Sequence, residues 1–330
     1  MNSNVTLKKL SDMLNLSIST ISRALKDHPD ISTATKEKVQ ELAHILEYEP
    51  NAYAINLRTN NRKEFGVIVP AIANYFYQSF FSALEEEARR YGYSLVILQS
   101  VDNALIELEN LKRCKQSRFA GIFIAISSNT TDIKSFIKVE EQGIPIIFFD
   151  KVPEFEAVNK VCVADKVSAE LAAEALLNKK RKNILAIFGD TKMSITKKRL
   201  DAFQKYVLQH GPKVKLTIVH AESATKAKDV FEANYDKLKP DAVFCMSDEI
   251  LTGVMKVVQK KKIVVPKALS IIAVSDGFIP QLYYPEIAYV ETSGFKLGKL
   301  AFSRMLNCMA SNQFAQEVTI DSVLISGASL

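Results

Sequence analysis

The chain has 330 residues, 48% of them hydrophobic and 24% charged, with 11 Gly and 10 Pro. At about 100–200 residues per domain this length predicts two or three globular domains, and the balance excludes disordered, collagenous and coiled-coil architectures. A formal charge of +6 permits an anionic partner without demanding one. The cysteines at 114, 162, 245 and 308 have no C-x-x-C spacing, so neither a zinc site nor a disulfide framework is indicated, and reduced thiols in a cytoplasmic protein are expected. Without an N-terminal apolar core or a run of about 18 apolar residues, neither export nor a membrane partner is expected.

Residues 1–50 place apolar side chains at helical spacing, first Leu7, Leu10 and Leu14, then Val39, Leu42, Ala43 and Leu46. Thr6 is suited to cap a first helix running to about Leu14. Asn15-Leu16-Ser17 then makes a tight turn, Asn15 tolerating left-handed backbone, and Ser17 caps a second helix, Ile18–Leu25. Asp30-Ile31-Ser32 opens a third helix ending near Tyr48. This pattern predicts a helix-turn-helix whose second helix is sized for the major groove. Ile18, Ser19, Thr20, Ser22 and Arg23 face outward, while Ile21, Ala24 and Leu25 face the core. Residues 1–63 hold nine Lys/Arg and seven Asp/Glu, a surplus too small to separate a DNA reader from a small protein-binding module. Six of the seven acids lie between Asp27 and Glu49, whereas Lys8, Lys9, Arg23, Arg58, Arg62 and Lys63 flank the reading face.

Pro50–Lys63 opens with a helix-start signal and ends in a polar run, as a linker helix would. Beyond it, short apolar runs read as buried strands at Phe65–Val69, Leu95–Leu98, Gly121–Ile126, Ile144–Phe149, Ile184–Phe188, Leu216–Val219, Ala242–Met246 and Ile271–Val274. Helical period fills the intervals at Phe80–Tyr91, Leu105–Lys115, Ile133–Gln142, Ser168–Asn178, Lys197–Gln209, Lys226–Lys237 and Ile250–Lys260. The alternation predicts βαβ units with parallel sheets, too long for one sheet and therefore divided into two similar lobes.

Chemistry-bearing motifs are sparse. There is no G-x-G-x-x-G, P-loop or G-x-S-x-G elbow, and His28, His44, His210 and His220 fall in different elements without metal-ligand spacing. An enzyme, a metal site and a resident cofactor are not expected.

Several segments resemble the LacI/GalR transcriptional regulators: Val5-Thr6-Leu7-Lys8, Leu16 to Leu25, Tyr48-Glu49-Pro50-Asn51-Ala52, Leu57-Arg58, and Phe65-Gly66-Val67-Ile68-Val69-Pro70. The resemblance covers the whole chain and is strongest over residues 5–100. It implies a helix-turn-helix domain over residues 1–50, a hinge helix and linker over 51–63, and a two-lobed periplasmic-binding-protein-like core over 64–330. The N-lobe would comprise about 64–162 and 293–320, the C-lobe about 163–292 and 321–330, with crossovers near Cys162–Asp165, Val290–Ser293 and Val318–Asp321. It further implies a bacterial homodimer on a near-palindromic DNA operator, associated with the nucleoid when bound.

On that resemblance, DNA contacts fall on Thr6, Ser17, Ile18, Ser19, Thr20, Ser22 and Arg23, and on Asn51, Ala54, Leu57 and Arg58 of the hinge. Arg23 suits a bidentate contact to guanine, and Leu57 takes the place of the leucine that wedges into the minor groove. Ile55 stands where many relatives carry an arginine, so one phosphate contact is absent. The implied effector contacts are Tyr75, Phe76, Asp150, Arg199, Ser247, Ser275 and Phe278. The family's Asn-Asp pair is here Ser247-Asp248 and its Phe-Asp-Asp stretch is Val274-Ser275-Asp276. These departures, with Lys151, Lys197, Lys198 and Arg199 expected to converge at the cleft, leave either a sugar-like or an anionic metabolite as the effector. A solute-binding protein and a sensor working without DNA are the alternatives; the absent export signal and the helix-turn-helix speak against the first, and a silent Arg23→Ala variant would favour the second.

Overall fold

The computed structural model describes residues 5–48, 63–155, 157–310 and 314–330, in two compact units, Met1–Arg62 and Lys63–Leu330. The hinge residues Asn51, Ala54, Ile55, Leu57 and Arg58 lie outside the described residues.

In the first unit α1 (Leu7–Leu14) is capped by Thr6, whose Oγ1 accepts from the Lys9 amide at 3.3 Å. Asn15 ends it at φ 50°, in the left-handed region where a short polar side chain is tolerated. Ser17 caps α2 (Ile18–Leu25), accepting from the Thr20 amide at 3.1 Å, and Ser32 caps α3 (Thr33–Ile45). Helices this short do not persist alone in water. They are held by burying Leu10, Ile21, Ala24, Val39 and Ala43 in one cluster, ringed by Leu14, Leu16, Leu25, Leu42 and Tyr48. Each fully buried aliphatic there contributes roughly 1.5–3 kcal/mol.

The second unit holds two six-stranded sheets. One contains β1 (Glu64–Val69), β2 (Ser94–Gln99), β3 (Gly121–Ile124), β4 (Ile146–Phe149), β5 (Lys160–Val163) and β11 (Glu317–Ile320), in spatial order 11-5-4-3-1-2 and parallel throughout. The other contains β6 (Asn183–Phe188), β7 (Lys215–His220), β8 (Ala242–Cys245), β9 (Ser270–Ser275), β10 (Ala288–Glu291) and β12 (Val323–Ile325), in order 12-10-9-8-6-7, with only β12 antiparallel. The central strands are buried on both faces, which is why they read as continuous apolar runs.

Around the first sheet lie α4 (Tyr75–Arg90), α5 (Ala104–Gln116), α6 (Lys134–Glu141) and α11 (Gly294–Ala310); around the second lie α7 (Asp165–Asn178), α8 (Ser194–His210), α9 (Ala224–Leu238) and α10 (Asp248–Lys260). The chain passes between the sheets at 164, at 292–293 and at 321–322. Consequently α11 and β11, late in sequence, complete the sheet that contains β1. The pairing of α11 with α4 is close: a Cβ on Gly298 would lie 2.6 Å from the Phe80 carbonyl oxygen, and one on Gly294 would collide with the Phe76 carbonyl.

Candidate functional site

Two surfaces carry the candidate residues. On the first unit, α2 presents Ile18, Ser19 and Arg23 to solvent, with Thr20 and Ser22 half-buried beside them. Thr6 and Ser17 spend their hydroxyl acceptors on helix caps, and Ser17 Oγ also lies 2.7 Å from Ser19 Oγ and 2.8 Å from Thr20 Oγ1. Among the described residues the Arg23 side chain makes only a loose contact, Nη1 to Asp30 Oδ2 at 3.9 Å, with both side chains more than half exposed. Such a pair is worth little in water, so the guanidinium is free to exchange it for a base edge.

On the second unit a cleft of about 630 Å³ opens between the two sheets, walled by the residues that follow β1, β2, β3 and β4 on one side and β6, β7, β8 and β9 on the other. The carboxyl ends of parallel strands are where open α/β sheets take ligands. Arg199, 5% exposed on α8, lines it; its Nε donates to Asp165 Oδ1 at 2.9 Å and its Nη1 to the Met246 carbonyl at 2.9 Å. Burial pushes the Asp165 carboxyl up to about 6, against the pull of the Arg199 charge.

Across the cleft, Tyr77 donates its hydroxyl to Asp150 Oδ2 at 2.9 Å, and burial followed by the Asp150 charge holds that phenol well above its usual range. Ser247 caps α10, accepting from the Ile250 amide, and so aims Asp248 from the helix start. Asp248 accepts from Ser275 Oγ at 2.5 Å and from the Asp276 amide at 3.4 Å, and burial lifts its carboxyl to about 7. Ser275 also accepts from the Gly277 amide at 2.9 Å. Its single proton is therefore committed to Asp248, and it orients that carboxylate rather than meeting a ligand. At the mouth Asn74 caps α4 with Oδ1 and donates through Nδ2 to Glu249 Oε1 at 3.0 Å, joining one lobe to the other.

The structure brings Phe76, Asp150, Arg199, Ser247 and Ser275 together on the cleft wall. Tyr75 and Phe278 are not on it: they are 40% and 61% exposed, turned outward because Tyr75 opens α4 on its solvent side and Phe278 follows the left-handed turn at Gly277. The expected convergence of lysines also fails. Lys197 pairs with Glu154 at 2.7 Å and Lys198 with Glu317 at 3.2 Å, both off the cleft wall, since on a helix only positions three or four from Arg199 share its face. Thr196, at that spacing, does line the cleft, and its buried Oγ1 has no hydrogen-bond partner among the described residues.

Sequence reasoning had missed most of the wall's charge. Among the described residues Asp102, Asp150, Asp190, Glu222, Asp248, Glu249 and Asp276 line the cleft against only Lys151 and Arg199, and none of the seven forms an ion pair. A signal existed: Phe149-Asp150, Gly189-Asp190, Ser247-Asp248 and Ser275-Asp276 each put an aspartate just past a buried strand. Among the described residues no cluster of His, Cys, Asp and Glu is arranged to hold a metal ion, and no helix is long and apolar enough to cross a membrane.

A helix-turn-helix unit joined to a two-lobed α/β cleft defines a ligand-responsive DNA-binding regulator. Residues 6–51 match the family model described as bacterial regulatory proteins, lacI family, and residues 62–327 match periplasmic binding proteins and sugar binding domain of LacI family. The chain belongs to the LacI family. It is 26% identical over 307 residues to catabolite control protein A of Staphylococcus epidermidis, covering 92% of each chain, and 23% identical over 322 residues to the transcriptional repressor PurR of Vibrio cholerae, covering 95% of this chain and 94% of that one. The lac repressor dimer, solved bound to operator and an anti-inducer, superposes over 99% of both chains with a TM-score of 0.87 at 19% identity, a likeness of fold.

Proposed function

We propose that this LacI-family regulator is a homodimeric repressor whose affinity for a near-palindromic operator is set by a small sugar-like metabolite held in the cleft. The observation that carries the reading is the pairing, in one chain, of an exposed α2 face bearing Arg23 with a cleft walled by strand ends of two lobes. Arg23 reads guanine, Ile18 meets a thymine methyl, and Ser19 supplies a short hydroxyl. Thr6, Ser17, Thr20 and Ser22 border that contact, their hydroxyls and the helix N-termini lying near phosphate. Leu57 wedges the central step, flanked by Asn51, Ala54 and Arg58.

Exposed apolar side chains support the dimer: Leu105 and Leu108 on one lobe, Leu282, Tyr284 and Leu324 on the other. Patches of this kind mark association surfaces, and Phe278 belongs with the second group rather than with the effector. The relatives matched are regulators, and the work assigned to this chain is binding rather than catalysis, carried out in the cytoplasm where the DNA is. Effector binding couples to the operator by about 1–3 kcal/mol, a change of about 5–150-fold in affinity.

Selection of the full chain on a random duplex library tests the reading. A near-palindrome with half-sites about one helical turn apart is the expected product. Absence of any enriched sequence, with and without a metabolite pool, overturns it.

A further inference from the structure

The cleft's charge points to the class of its effector, an inference that rests on the cleft being the effector site. Seven carboxylates face two cations there, and Arg199 is already neutralised by Asp165 at 2.9 Å. Every hydrogen bond found on the wall carboxylates comes from a neutral donor: Tyr77 on Asp150, Ser128 on Asp102, Asn74 on Glu249, Ser275 on Asp248 and backbone amides on Asp190 and Asp276. Like charges gathered in a low-dielectric concavity focus a negative potential that draws cations and repels anions. The lysines that would have offset it, Lys197 and Lys198, are tied to Glu154 and Glu317 off the wall. A second, independent feature asks for a polar ligand: Thr196 is 2% exposed, stands on the wall three residues from Arg199, and its Oγ1 is without a partner.

We propose that the effector carries a protonated amine on a hydroxylated frame, an amino sugar or amino polyol, with the amine held by cleft carboxylates and a hydroxyl taken by Thr196 and the free edge of Arg199. Phe76, the one aromatic side chain on the wall among the described residues, supplies the face against which such a frame packs. Phosphorylated and carboxylated sugars are rejected by the same carboxylates.

The test is a matched series titrated into the full chain by calorimetry without DNA: neutral hexoses, their 2-amino counterparts, the hexose 6-phosphates and the uronates. The amino sugars are expected to bind most tightly, and more weakly as salt rises. Asp150→Asn and Asp248→Asn are each expected to weaken the best amine by about 30-fold or more, and to weaken it by a larger factor than its neutral parent. Tightest binding by a neutral or anionic member, or no binding by any amine, overturns the proposal. Operator affinity measured separately, by anisotropy with and without the bound ligand, keeps this failure distinct: an amine that binds tightly yet leaves the operator unmoved sinks the repressor reading and not the charge assignment.

Discussion

Replacing Asp248 by asparagine isolates the cost of keeping a carboxylate in the cleft floor. In the folded chain this group sits at about 7, raised mainly by burial, against 3.8 for its ordinary value. Between those limits the folded state binds the extra proton, so stability falls as pH rises from about 4 to about 7. Three units at 1.36 kcal/mol each amount to about 4 kcal/mol once the group is fully ionised. Asparagine removes that penalty. It keeps one acceptor for the Ser275 hydroxyl but offers an NH₂ to the Asp276 amide, a mismatch costing about 1–2 kcal/mol. Asp248→Asn should therefore stabilise the core by about 2–3 kcal/mol at pH 8, raising Tm by about 4–10 °C for a unit of this size. Near pH 4.5 the advantage should vanish, and below that it should reverse. Paired thermal melts followed by circular dichroism at the two pH values read this directly. A variant less stable than the parent at pH 8 would falsify the account of Asp248 as a carboxylate ionised at a cost.

Three further substitutions probe the two surfaces. Arg199→Met strips Asp165 of its cation and should cost about 3–5 kcal/mol at pH 8 in urea unfolding, but markedly less at pH 5, where a carboxyl lying at about 6 is largely protonated; equal losses at both pH values would refute the pairing. Arg23→Ala should lower operator affinity by about 1–3 kcal/mol and relax selectivity at one base pair in each half-site, which a mismatch series in gel shift would reveal as a flattened profile. Leu57→Ala should weaken the operator complex while sparing binding to random duplex, and a parallel loss on both would remove the wedge from the hinge.

Much of the architecture follows from local chemistry that a sequence displays. The helices α1 and α2 run over the residues their caps predict, because Thr6, Asn15 and Ser17 each do a job that few residue types perform. The inner parallel strands stand out as apolar runs for the reason that helices cover both their faces. Where period fails, the reading fails. The aromatic run Tyr75-Phe76-Tyr77 hides the first turn of α4, which begins at Tyr75 after the Asn74 cap rather than near Phe80. Helix α11 is missing from the sequence reading although Lys296, Lys299, Ser303 and Asn307 mark its exposed face at helical spacing; Gly294 and Gly298, poor helix formers, interrupt the pattern and are spent on close contact with α4. Strand β5 has four residues headed by Lys160 and resembles a loop until β4 and β11 flank it. The cleft is harder still. Arg199 declares itself as a residue type, yet the partners that orient it, Asp165 and Met246, lie 34 and 47 positions away. Only the sheet brings them together.

The way the first sheet is completed has a consequence for how the protein comes into being. Strand β5 receives its outer neighbour β11, and α4 its partner α11, from the last fifth of the chain. A ribosome adding about 5–20 residues per second needs roughly 10–40 s to travel from the end of α4 to the end of α11. Through that interval Leu297, Ala301, Phe302 and Met305, which pack against Phe65, Phe80 and Leu84 in the finished lobe, do not yet exist or are still emerging. The three-helix unit, with its own core, is finished long before. Each newly made copy thus holds a packed three-helix unit before its sensing lobes can close, and through that interval the α4 face awaiting α11 is open to wrong partners.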